Sequence, residues 1–242
     1  MIKAETEGLK DVLKWLDDKQ KDKVPDAAMK AVNTTANIAR KAVYDEMRKV
    51  FDRPTPYTMR SVWIDYATKE RLSADVYIKD EGGKGVAPVK YLWPEVYGGR
   101  RNQKGFERLL SSEGYIQSDE FLMPWKVKKD QYGNVTGGTI QKILSGLRAQ
   151  KDDYQNSPAQ GGDYRGTRKR RRVVRTYYID EWYKKNKGIT IIWEHDAKSG
   201  RRTPLFVSQK RATYKRRLRF NEVVQQTVGR VLVTEFLRAL GD

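Results

Sequence analysis

This chain of 242 residues has no cysteine and a single histidine, His195. The first absence removes disulfide frameworks, thiol nucleophiles and thiolate metal sites; the second removes the common zinc sites and histidine-based catalytic triads. No apolar run approaches the roughly 18 residues of a membrane-spanning helix. Large aliphatic and Phe residues are scarce too: Leu, Ile, Val and Phe make up 52 of 242 positions. That is close to the ~20% level below which a highly charged chain tends not to fold alone. The opening Met-Ile-Lys-Ala-Glu-Thr-Glu is acidic and has no signal-peptide core, so a protein made in a cytoplasm and not exported by the standard route is expected.

What is present tells more. Six Trp and 14 Tyr are too many for a disordered chain and predict a folded core with extended polar parts that order against neighbours. The net charge is +18, unevenly placed: residues 1–120 carry 22 basic and 20 acidic groups, and residues 121–242 carry 27 and 11. A one-sided field of this kind implies an acidic partner, whether nucleic acid, an acidic protein surface or an anionic membrane.

Apolar spacing predicts the elements. Leu9, Val12, Leu13 and Leu16 follow a helical period. A second helix is expected from residue 25 to 51, with Pro25 in its first turn and one stripe of Ala28, Ala31, Val32, Thr35, Ala36, Ala39, Val43, Met47 and Val50. Its alanines call for something packed close, a sheet face or another helix. Thr55-Pro56 reads as a cap and first-turn proline. The period then changes to two, and Val62–Ile78 reads as an antiparallel hairpin with one face on the long helix. Phe121–Trp125 is expected at a sheet edge because Pro124 cannot join a central ladder. Ile140, Ile143, Leu144 and Leu147 mark a helix, residues 150–166 a mobile loop, and Thr176–Asp180, Gly188–Glu194 and Pro204–Gln209 three strands. Asn221–Leu240 closes as a helix. The expected organisation is one domain over residues 1–242, with residues 80–125 and 150–175 as insertions or extended loops.

Motifs for chemistry are weak. Gly82-Gly83-Lys84-Gly85 lacks the P-loop spacing and runs into Pro88, which supplies no amide, so a flexible hairpin end is expected. No Glu-x-Lys occurs, which argues against a restriction-type metal nuclease. The acid pairs Asp119-Glu120 and Asp180-Glu181 would point opposite ways in a strand and read as solvated surface acids. His195 reads as a turn residue. Two basic clusters remain. One is Arg165, Arg168, Lys169, Arg170, Arg171, Arg172 and Arg175; the other is Lys210, Arg211, Lys215, Arg216, Arg217 and Arg219, with Tyr214 among them. Both are expected to contact an anionic partner or the DNA backbone, with simple solvation as the alternative. No base-reading motif accompanies them.

The order of elements resembles the minor tail protein Z and tail-completion family of tailed bacteriophages. Four stretches carry the resemblance: Lys23–Asn33, with its Val-Pro and alanine-rich helix; the proline break and basic hairpin of Arg53–Ile78; Asp130–Val135 with Gly138–Leu144; and Gly188–Glu194, Pro204–Val207 and Tyr214–Arg217 with the closing helix. The resemblance implies an α+β fold, an antiparallel sheet packed against a long N-terminal helix and a C-terminal helix, with extended loop insertions. It also implies a structural subunit, not an enzyme, that completes the tail or joins tail to head. Such a subunit would form a ring of copies of itself around the DNA passage, beside other neck, portal or tail proteins. No catalytic residue, metal, cofactor, membrane or small-molecule substrate is implied. Its place would be the virion, after assembly in the host cytoplasm. A non-sequence-specific DNA-binding protein is the alternative expectation.

Overall fold

Pro25 in the first turn and the break after Val50 bound the longest element of the computed structural model, α1 (Lys23–Val50). The structure describes residues 2–4, 23–83, 85–156, 162–165, 172–210 and 213–241; the helix expected around Leu9–Leu16 and the basic residues 168–171 lie outside them. Ala28, Ala31, Val32, Thr35, Ala36, Ala39, Val43 and Met47 are all buried, as the stripe requires. Two things pack on it. One is the hairpin of β2 (Val62–Asp65) and β3 (Asp75–Ile78), joined in register Val62↔Ile78 and Ile64↔Val76, with β1 (Ile2–Ala4) on the other side of β3. The other is the C-terminal helix α7 (Phe220–Gly241), which buries Phe220, Val224, Thr227 and Phe236. Alanine in place of larger residues lets two helix backbones approach at the short end of the usual interaxial range. Between β2 and the end of α1 sits the single turn α2 (Pro56–Met59), where the Thr55 hydroxyl accepts the Thr58 N–H at 3.1 Å. After β3 comes α3 (Pro88–Tyr97). The fold is α+β, with the long N-terminal helix against the C-terminal one.

These elements form one compact unit, Met1–Gly99 with Tyr214–Asp242; residues Arg100–Thr213 form a second. The single domain expected over residues 1–242 is therefore replaced by two units, and the chain passes between them at the two-residue strands β4 (Gly99–Arg100) and β10 (Thr213–Tyr214). Of the two segments expected as insertions or extended loops, 80–125 is built of regular elements, and residues 157–161 and 166–171 of the other lie outside the described residues. Residues 80–125 hold α3, α4 (Gly105–Ser112) and β5 (Glu120–Pro124).

Unit 2 is built on a five-stranded antiparallel sheet in the order β5-β9-β8-β7-β6, with β6 (Gly162–Arg165), β7 (Arg172–Ile179), β8 (Ile191–Asp196) and β9 (Arg202–Lys210). Residues 162–165, read as part of a mobile loop, pair with β7 despite carrying almost no apolar side chain; main-chain hydrogen bonds to a neighbour, not hydrophobic pattern, define that strand. Pro124 ends β5 at the sheet edge, where its missing N–H costs nothing. One face of the sheet packs on α4 and α5 (Gly137–Gly146) through Leu110, Leu122, Ile143, Leu144, Ile192 and Phe206. Gly146 lies so close to Tyr177 of β7 that a Cβ there would sit 2.5 Å from its ring, so only glycine fits.

Candidate functional site

Basic residues were the sequence's strongest functional signal, and the structure sorts them. Arg168, Lys169, Arg170, Arg171 and Arg211 lie outside the described residues. Arg165 and Arg172 are backbone register partners in the β6–β7 ladder. Arg175 of β7 stands 3.6 Å from Glu194 of β8. Lys210 ends β9 exposed, opposite Glu120, and Lys215 is exposed too.

The other three arginines of the second cluster are engaged by carboxylates within unit 1. Arg217 forms a two-pronged pair with Glu95 of α3, at 2.8 and 2.9 Å. Arg219 donates to Glu46 of α1 at 3.1 Å, and Arg216 pairs with Glu222 of α7. The backbone explains why this segment is rigid: the N–H groups of Arg217 and Leu218 both donate to the Glu95 carbonyl, at 2.8 and 2.9 Å. Leu218 and Phe220 are fully buried beside them. The Arg217 guanidinium also lies 5.7 Å from the Phe51 ring. Its hydrogen bonds to Glu95 hold its proton more tightly than usual. Arg216, Arg217 and Arg219, expected to contact an anionic partner, thus also fasten their own unit while staying 46%, 51% and 65% exposed. The reason lies in two acids that no local pattern marks: Glu46 and Glu95 sit among buried apolar neighbours, where a carboxylate must find a cation.

Unit 2 holds a tighter version of the same device. Glu107 of α4 is fully buried, and its two oxygens accept four donors: Arg101 twice, at 2.6 and 2.7 Å, the Lys104 N–H at 2.6 Å and the Leu122 N–H at 2.8 Å. The N-cap residue is Lys104 and not serine, threonine, asparagine or aspartate, so the usual capping signature is absent. Glu120, expected to be a solvated acid, is buried instead, accepting from the Gln117 N–H at 2.7 Å and the Ser208 hydroxyl at 2.9 Å. Asp180 caps the next helix, while Asp119 and Glu181 are exposed as expected. His195 lies in β8, paired with Arg202 and Thr176, not in the turn; the turn begins at Asp196, whose carboxylate the Lys198 and Ser199 N–H groups hold below its usual pKa.

One cationic surface lies outside both predicted clusters. The seven-residue helix α6 (Glu181–Lys187) starts where Asp180 accepts the N–H groups of Trp182 and Tyr183 at 3.0 and 3.3 Å, and ends at Gly188 with φ of 62°. Lys184, Lys185 and Lys187 fill its last turn, where the helix dipole favours cations. Lys184 is tied to the Gly114 carbonyl at 3.0 Å. Trp182 is 58% exposed and Tyr183 37%, their ring centroids 5.1 Å apart and nearly perpendicular.

Among the described residues no group of three or more His, Cys, Asp or Glu side chains is arranged to hold a metal ion. No described helix is long and apolar enough to cross a membrane. Set against protein-family models, curated proteins and solved structures, the chain matches none.

Proposed function

We propose that this chain is a structural subunit of a tailed-bacteriophage virion, one that completes the tail or joins it to the head. Its copies form a ring around the DNA passage, bordered by other neck, portal or tail proteins. The observation that carries this reading is the architecture of unit 1: two long helices on one face of an antiparallel sheet, the arrangement that the resembled family implies. The distribution of charge supports it. Unit 1 has 24 basic and 19 acidic residues, unit 2 has 25 and 12, so one unit is close to neutral and suited to protein contacts while the other suits an anionic neighbour. Head-to-tail contacts that close on themselves give a ring, the shape a tube end needs. The role is mechanical, needs no cofactor, and is exercised in the virion after assembly in the host cytoplasm.

Particles assembled without this protein and viewed by negative-stain microscopy test the reading. Full heads with detached or unstable tails are expected; intact, infectious particles would sink it. The alternative, a DNA-binding protein without sequence preference, is favoured by the surplus of cations in unit 2. It predicts salt-sensitive binding to random duplex DNA together with normal particles.

A further inference from the structure

We infer that α6 is a stacking platform for single-stranded nucleic acid. Two cations of α6 differ from the arginines that close the second basic cluster in one respect that matters. Arg216, Arg217 and Arg219 each have a carboxylate partner, whereas Lys185 and Lys187 have none among the described residues and stand exposed. Trp182 and Lys185 are three residues apart, and Tyr183 and Lys187 four, so each ring shares a helix face with an ammonium group. An exposed indole beside an unneutralised ammonium is the chemistry that binds a nucleotide: the ring stacks on a base and the cation meets the phosphate. Duplex DNA hides its base faces in its own stack and offers Trp182 nothing to stack on. An anionic membrane is a poorer match, because a helix of seven residues with Glu181, Asn186 and three lysines has no apolar stripe to insert. Glu181 is the one acid on the helix, and it lies at the opposite end from Lys185 and Lys187. The site is independent of the virion reading, which is tested on particles.

The test uses the purified full-length chain and a fluorescein-labelled dT20 oligonucleotide in a salt series, read by anisotropy. Binding is expected at low salt. Trp182→Ala should weaken it about fivefold or more, the loss of one stacked base, and Trp182→Phe should recover most of that. Lys185→Gln with Lys187→Gln should flatten the salt dependence by about 1.4 in the log–log slope. Far-ultraviolet circular dichroism checks that the variants fold; these side chains are exposed, so they should. Unchanged dT20 affinity in Trp182→Ala overturns the platform, since the basic residues elsewhere would then account for all binding. So does binding of a 20-base-pair duplex, or of phosphatidylglycerol vesicles, that is weakened by Trp182→Ala as much as dT20 binding is.

Discussion

Both units bury glutamates against arginines, but they place the cation differently. In unit 1 the side chains of Glu46 and Glu95 are 11% and 10% exposed, and their partners Arg219 and Arg217 are 65% and 51% exposed. The acids belong to the core margin and the cations to the surface. In unit 2 Glu107 has no exposure and Arg101 only 11%, so the whole pair is inside. Water screens the first arrangement far more than the second. A pair open to solvent contributes little on balance, whereas removing one partner of a closed pair leaves a charge stranded in the protein. Similar chemistry thus fastens a surface segment in one unit and fixes the core in the other.

The sharpest way to break this comparison is Glu107→Ala. It removes the buried carboxylate that Arg101 pairs with and leaves the Lys104 and Leu122 N–H groups without that acceptor, so a loss of roughly 3–5 kcal/mol is expected in urea unfolding. Next is overpacking in unit 1: Ala39→Leu, at a fully buried position in the α1 stripe, should cost about 1–3 kcal/mol. Unchanged stability would mean that the stripe does not meet a close neighbour. Arg217→Ala removes two hydrogen bonds to a carboxylate, but water can reach the gap, and a loss of roughly 1–2 kcal/mol is expected. Should it match Glu107→Ala, exposure is not what separates the units. The smallest change is a gain. Among the described residues the buried Thr35 hydroxyl has no hydrogen-bond partner, and it lines a cavity of about 20 Å³ with Val76, Val224 and Leu232. Thr35→Val keeps the shape and removes the unpaired group, so stability should rise by up to about 1 kcal/mol, read as a higher melting temperature.

Legibility in the sequence followed the source of each element's stability. α1, the β2–β3 hairpin, α5 and α7 were readable because apolar side chains at period 3.6 or 2 make them. The edge position of β5 was readable because Pro124 forbids any other. Strand β6 was not, since backbone pairing alone defines it. The division into two units was invisible because it depends on which distant segments meet, and nothing local marks Gly99 or Tyr214. For the candidate site, charge density pointed to the cations but could not say which were already neutralised. For Arg217 and Arg219 that depends on Glu95 and Glu46, 122 and 173 residues away in the chain and near them only after folding. α6 went unnoticed because its three lysines are few beside the seven basic residues of 165–175.

The core of unit 1 is assembled from chain lying on either side of unit 2, and this bears on how the protein is made. α1 and its hairpin leave the ribosome early, while α7, which covers the same stripe, is translated only after residues 100–213. At ~5–20 residues per second that interval lasts roughly 6–23 s. Throughout it, Ala28, Ala36, Ala39 and Val43 have no C-terminal helix against them. Unit 2, drawn from one uninterrupted stretch, has all its parts available sooner. Maturation should therefore end, not begin, with the N-terminal helix, and any product that stops short of residue 220 displays an uncovered apolar stripe to proteases and chaperones. Pulse proteolysis of stalled chains, with α1 cleaved before α7 emerges and protected afterwards, is the expected pattern.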